Sequence, residues 1–212
     1  MTEFKVLNES VIKGDIKTAV AEAQKALDAG ENIQSIIDDG LIRAMDEVGE
    51  RFFKGQIFVP QMLRSAKTMQ ECMKLVQPHF KEGNVTAKGT VVIGTVKGDL
   101  HDLGKNLVSM MLEGAGFTIV DLGVDVAPDA FVQKVRETAA DIMGMSALLS
   151  TTMPAMRQTI DALKEAGVRD KVKVIVGGAP VTDEFAREIK ADAYGADAGS
   201  AVIQTKKLMG LL

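Results

Sequence analysis

A helical bundle followed by an α/β doubly wound five-stranded parallel sheet is the fold class this sequence predicts, and two observations predict it. Up to about residue 80, apolar residues recur only at helical spacing; from Gly89 onward, short β-rich apolar runs alternate with amphipathic helices. Between the two, the stretch from Pro78 to Lys88 turns polar and carries Gly83 and Asn84, which marks a linker. The expected organisation is a helical domain over 1–80, a linker over 81–88 and an α/β domain over 89–212.

Each helix of the first part has its own signal. A short helix fits residues 3–12. Asp15 is placed to cap a second, in which Ile16, Ala19, Val20, Ala23, Ala26 and Leu27 share a face until Gly30 stops the run. A third begins near Asn32 and carries Ile33, Ile36, Ile37, Leu41, Met45 and Val48. Phe52 to Val59, with Gly55 inside it, breaks the pattern. Pro60 then suits the first turn of a fourth helix, through Met62, Leu63, Ala66, Met69, Met73 and Val76.

In the second part the expected strands are Thr90–Thr95, Thr118–Leu122, Ile142–Ser146, Lys173–Val176 and a weaker Ala193–Tyr194. Helices are expected near 104–115, 128–139, 152–166, 182–190 and 197–209. Continuously apolar strands separated by helices indicate a parallel sheet covered on both faces. Five such units suggest a Rossmann-like sheet of flavodoxin-like order, 2-1-3-4-5. Sheets of that kind bind ligands beyond the carboxyl ends of their strands, where strand order reverses. Here that place lies between the loops after the first and third strands.

Composition excludes several classes. With 25 Lys+Arg against 29 Asp+Glu the chain is mildly acidic, which disfavours nucleic acid as a partner. A single cysteine, Cys72, allows no disulfide framework and indicates a reducing compartment. The polar start Met-Thr-Glu-Phe-Lys-Val is no signal peptide, and no apolar run is long enough to span a bilayer. A cytoplasmic protein without membrane contact is the expectation.

After the first strand the chain reads Gly94-Thr95-Val96-Lys97-Gly98-Asp99-Leu100-His101-Asp102-Leu103-Gly104-Lys105-Asn106. A histidine stands in a polar, glycine-bracketed loop two residues after an aspartate. Neutral imidazole is a common metal ligand, and its second ring nitrogen usually donates to a carboxylate. Taken in isolation, the same residues read more readily as a surface histidine with Asp99 or Asp102 capping the next helix. One histidine is too few for a zinc or iron site. A metal that needs only one protein ligand must bring the rest with it, as a macrocycle does.

The motif Asp99-Leu100-His101-Asp102-Leu103-Gly104 resembles the Asp-x-His-x-x-Gly signature of cobalamin-binding domains of the methionine synthase and corrinoid methyltransferase type. Ser146-Ala147-Leu148 after the third strand resembles that family's Ser-x-Leu, and Gly177-Gly178 after the fourth resembles its Gly-Gly. The resemblance implies cobalamin or a related corrinoid, its dimethylbenzimidazole displaced from cobalt and its nucleotide tail in a slot beside the first strand. It implies His101 as the axial cobalt ligand, Asp99 accepting the other N–H, and Thr152 (serine in methionine synthase) extending the relay. Gly98, Leu100, Asp102, Leu148, Ser146 and Ser150 belong to the implied cofactor-binding set. Gly98, Gly104, Gly144, Gly177 and Gly178 would keep the slot open, some of them also serving as ordinary βα-turn residues.

The resemblance extends to the helical part as a cap domain. The run Gly49-Glu50-Arg51-Phe52-Phe53-Lys54-Gly55-Gln56-Ile57-Phe58-Val59-Pro60-Gln61-Met62 is similar to the methionine synthase cap, where the equivalents of Phe52, Val59 and Met62 cover the upper corrin face. The alternative is that these three are bundle core, the ordinary place for Met at helical spacing and the reading kept for Met69 and Met73. Asp38 aligns with a cap carboxylate but reads more readily as a solvated helix residue. The linker suits a hinge.

The implied function is methyl carriage. A methyl group would be accepted on Co(I) from a substrate:corrinoid methyltransferase and passed from methyl-Co(III) to a second methyltransferase whose acceptor is tetrahydrofolate or a thiol. A corrinoid reductive activator would be a third partner. No folate, homocysteine or barrel domain is present in the sequence, so a carrier component rather than a complete enzyme is expected. The alternative is a cobalamin-binding regulatory or sensor module, but no basic recognition helix stands in the chain. A mutase module would pair with a barrel. A phospho-acceptor domain needs an acidic cluster by the first strand, and Gly89-Thr90-Val91-Val92 has none. His79 falls in the linker and is expected to face solvent.

Overall fold

The computed structural model describes residues 4–79 and 87–212, so the expected linker lies outside the described residues apart from Ala87 and Lys88. The chain divides into two compact units, residues 1–87 with 113–116, and residues 88–112 with 117–212.

The helical unit opens with α1 (Lys5–Lys13) and α2 (Ile16–Asp28). Asp15 caps α2 as its type predicts, accepting from the Thr18 amide at 3.2 Å and the Thr18 hydroxyl at 2.7 Å. The buried face of α2 is Ala19, Ala23 and Ala26, small enough to bring α1 and α5 (Val59–Val76) close. Asn32 caps α3 (Ile33–Ser35) through the Ser35 amide at 3.1 Å. The helix then widens into a π-helical segment, Ile36–Ile42, before resuming as α4 (Arg43–Phe53). Periodicity alone predicts one ordinary helix here. The widening is met by Asn8, whose side-chain amide donates to the carbonyls of Asp39 and Gly40 at 2.8 and 2.5 Å. Along α5, Met62, Ser65, Ala66, Met69, Cys72 and Val76 form the buried stripe.

In the second unit β1 (Thr90–Thr95), α6 (Leu103–Gly114), β2 (Thr118–Asp121), α7 (Pro128–Thr138), β3 (Ile142–Ser146), α8 (Met153–Glu165), β4 (Lys173–Gly177), α9 (Asp183–Glu188), β5 (Ala193–Gly195) and α10 (Ala198–Leu208) follow one another. The strands form one parallel sheet in the order β2-β1-β3-β4-β5, as expected. One core collects Val92, Met143, Val174 and Val176 from the strands with Phe131 from α7 and Met156, Ile160 and Leu163 from α8. Each such fully buried side chain stabilises the fold by about 1.5–3 kcal/mol relative to exposure. The register places Thr95 beside Ser146 and Ser146 beside Gly177, so the loops after β1, β3 and β4 leave the sheet side by side. Among the described residues, no helix is long and apolar enough to cross a membrane.

Candidate functional site

The three motif pieces meet at the carboxyl edge of the sheet; Asp99 joins the β1 and β3 loops, and Gly177-Gly178 meets the β3 loop at Ala147, whose amide donates to the Gly177 carbonyl at 3.2 Å. The Asp99 side chain is fully buried. One carboxylate oxygen accepts from His101 Nδ1 at 2.7 Å and from the His101 amide at 3.1 Å. The other accepts from the Leu148 and Leu149 amides at 2.7 and 3.3 Å and from the Thr152 hydroxyl at 2.8 Å. Burial, the largest single influence, opposes ionisation of Asp99. The His101 ring, the Leu148 and His101 amides and the Thr152 hydroxyl together outweigh it and hold the carboxyl well below the usual carboxylate range.

Thr152 occupies the N-cap position of α8 but makes no side-chain cap bond there. Its hydroxyl is turned inward instead, 2.8 Å from both Asp99 and the Leu149 carbonyl. The ionised carboxylate is the stronger acceptor and draws the proton. A side chain whose usual work would be local is thereby committed to the carboxylate.

With Nδ1–H donating to Asp99, the network assigns the tautomer in which Nε2 keeps its lone pair. Among the described residues nothing bonds Nε2, and the His101 side chain is 52% exposed. The main chain is held from behind, with the buried Thr95 hydroxyl donating to the His101 carbonyl at 2.8 Å. Exposed apolar side chains stand in the same loops: Leu100 beside His101, Leu103 at the start of α6, and Leu148 and Leu149 in the β3 loop.

The glycines divide by what holds them. A Cβ on Gly178, whose φ is +126°, would stand 1.8 Å from the Ala147 carbonyl oxygen, so the Gly-Gly and Ser-x-Leu loops abut backbone to backbone. Gly177 is likewise required by packing, since a Cβ there would stand 2.8 Å from the Gly195 carbonyl oxygen, while at Gly144 it would meet only the Ile93 side chain at 3.1 Å. Gly98 has φ +83°, whereas Gly104 has open space where a Cβ would be. Asp102 is exposed and accepts from the Asn106 amide at 3.1 Å. Ser150 is exposed and Ser146 half-buried; among the described residues neither hydroxyl has a partner.

In the helical unit the three shield candidates differ. Met62 is fully buried, Phe52 is half-buried and Val59 is 39% exposed, while Phe58, which the sequence reading did not select, is 70% exposed. Asp38 is exposed and accepts from the Gln34 amide at 2.8 Å. His79 is exposed, as expected.

Two further groups escaped sequence reasoning. Lys105 is buried, its ammonium between the Asp121 carboxylate and the Asn106 amide oxygen, and so ties the first turn of α6 to the end of β2. Asp125, in the loop after β2, accepts from the Gly98 amide at 2.8 Å and the Lys97 ammonium at 3.0 Å, and those two contacts lower its carboxyl pKa. One contact runs from helix to strand and the other between loops, and periodicity signals neither.

This geometry fits a metal that arrives with its own equatorial ligands. It offers one oriented imidazole and an apolar front. Among the described residues there is no group of three or more His, Cys, Asp or Glu side chains that could hold a bare ion. A corrinoid meets those terms.

Comparison with known proteins agrees. A family model described as B12 binding domain matches residues 89–203, and a second model of the same description matches residues 4–77. The chain is 44% identical over 199 residues to trimethylamine corrinoid protein 2 of Methanosarcina mazei, covering 93% of this chain and 91% of that protein. It is 42% identical to dimethylamine corrinoid protein 1 of Methanosarcina acetivorans, covering 93% of this chain and 91% of that one. Among solved structures it resembles the methanol:cobalamin methyltransferase complex MtaBC of Methanosarcina barkeri with a TM-score of 0.88 and 30% identity. That match covers 97% of this chain and 78% of the other. The chain therefore belongs to the corrinoid proteins of methyltransferase systems, a family built on B12-binding domains.

Proposed function

We propose that this chain is a corrinoid-binding methyl carrier, with residues 1–80 as a cap domain, 89–212 as the cobalamin-binding domain and His101 as the axial ligand to cobalt. One observation carries the reading: a buried, ionised Asp99, held by Leu148, Leu149 and Thr152, fixes His101 in the tautomer that presents Nε2 forward. A corrinoid bound there supplies a cobalt that accepts a methyl group and yields it to a nucleophile. The protein governs which nitrogen ligates. The Nδ1–H bond to Asp99 holds the ring in one orientation and keeps the proton on Nδ1, so that Nε2 is the nitrogen left to ligate. Gly98, Leu100, Asp102, Gly104, Ser146, Leu148, Ser150, Gly177 and Gly178 complete the proposed cofactor-binding set, with exposed leucines against the macrocycle and two free hydroxyls available to its polar edge.

Phe52, Val59 and Met62 are proposed as apolar shielding for the reactive face, supported by their likeness to the methionine synthase cap. The donor class favoured by the relatives is a methylated amine, delivered by a substrate-specific methyltransferase. An acceptor methyltransferase, using tetrahydrofolate or a thiol, and a reductive activator complete the proposed partners.

The test is methylation of the loaded protein. Hydroxocobalamin-charged, reduced protein is offered monomethylamine, dimethylamine, trimethylamine or methanol, each with its own methyltransferase, and the visible spectrum is followed. Methylation by an amine pair supports the proposal. Failure with every pair, while a trimethylamine corrinoid protein is methylated under the same conditions, contradicts it.

A further inference from the structure

We infer that Asp125 is a positioning residue for the cobalt ligand, an inference that rests on His101 being that ligand. Asp125 bonds three consecutive residues of the β1 loop by three different atoms. Its carboxylate accepts from the Lys97 ammonium at 3.0 Å and from the Gly98 amide at 2.8 Å, and its own amide donates to the Asp99 carbonyl at 2.9 Å. It does so from a left-handed backbone, φ +54°, a conformation that aspartate tolerates better than most residues. Around it the loop after β2 is stitched to β1: the Thr95 amide donates to the Gly123 carbonyl at 2.9 Å, and the Val126 amide to the Thr95 carbonyl at 3.0 Å.

Asp99 is thus clasped from two sides. The β3 loop holds its carboxylate through Leu148, Leu149 and Thr152, and Asp125 holds its main chain and the residues just before it. The two clasps do different work. Losing the β3 clasp strips hydrogen bonds from the relay itself. Losing the Asp125 carboxylate leaves every relay atom present, and the Asp125 amide still on the Asp99 carbonyl, but frees the Gly98 peptide that leads into Asp99. Gly98 makes the second clasp necessary, because φ +83° with no side chain leaves that peptide without restraint of its own. The exposed Lys97 contact adds little. The Gly98 amide bond is the working one.

Three variants separate the possibilities, each first shown to be folded by circular dichroism and thermal unfolding. Asp125→Ala removes the acceptor. Asp125→Gly removes it while relieving the left-handed backbone. Asp125→Asn keeps an oxygen for the Gly98 amide and gives up the charge together with the exposed Lys97 contact. Each is charged with hydroxocobalamin, its affinity measured by absorbance titration, and then reduced by one electron. Protein labelled with nitrogen-15 histidine reports the axial nitrogen as a doublet in the electron paramagnetic resonance spectrum.

Asp125→Ala and Asp125→Gly are expected to weaken corrinoid binding about tenfold and to blur the doublet, while Asp125→Asn stays within about twofold of wild type. Wild-type affinity and an intact doublet in both Asp125→Ala and Asp125→Gly would overturn the inference and leave His101 standing. Absence of the doublet in wild type would overturn the His101 reading, and this inference with it.

Discussion

The back and the front of the β1 loop are built on opposite terms. Behind it, Asp99, Thr95 and Thr152 are buried and hydrogen-bonded, and Gly178 leaves no room for a methyl group. In front, Leu100 and Leu103 are 72% and 81% exposed, Gly104 faces open space and His101 Nε2 has no partner among the described residues. The contrast is that of a preorganised ligand: the back is over-determined so that the front can be left open without wandering. Damage to the back must therefore reach both fold and cofactor, and damage to the front must reach the cofactor alone.

The hardest blow to the back is Gly178→Ala. The new methyl would overlap the Ala147 carbonyl at a backbone angle that L-residues avoid, so a loss of more than about 3 kcal/mol in urea unfolding is expected, or no folded protein. A milder change is Asp99→Asn, which turns an acceptor toward two amides and a hydroxyl into a donor and costs about 3 kcal/mol near neutral pH. The pH dependence sharpens this. Because the folded carboxyl titrates well below its unfolded value of about 3.9, its stabilisation is complete above that value, declines steadily as pH falls below it and is gone only below the lower folded value. The gap between wild type and Asp99→Asn should accordingly shrink as pH drops from about 5 toward 2.5.

The front gives the opposite pattern. Leu103→Ser should leave the unfolding free energy measured in urea within about 0.5 kcal/mol of wild type, since the side chain is already in water, yet weaken corrinoid binding severalfold. A fall in stability instead would mean that the front is part of the core. The smallest effect belongs to a residue of the helical unit. Burial raises the Cys72 thiol to about 11, so folded protein should resist iodoacetamide at mildly alkaline pH and react once urea opens the helical unit.

The motif residues of the site were legible in the sequence, and most of the contacts that brace them were not. His101, Asp99 and the glycines stand in short motifs, and continuous apolar runs marked all five strands to within a residue at their ends. Thr152 was reached only by alignment, since by its own position it reads as a helix cap. Asp125 and Lys105 bond across loops or from helix to strand, and no local pattern encodes such pairings. The π-helical segment at Ile36–Ile42 was hidden for the same reason. Ile36, Ile37 and Leu41 suit either helix, and what favours the wider one is Asn8, far along the chain, together with Gly40 closing on Leu7.

The central claim is that His101 ligates cobalt, and the most direct measurement is the visible spectrum of hydroxocobalamin-charged wild type beside His101→Ala. Wild type should retain the corrinoid through gel filtration with an imidazole-ligated spectrum, and the variant should lose that spectrum or the cofactor. Identical spectra, or a wild type that retains no corrinoid, would contradict the account.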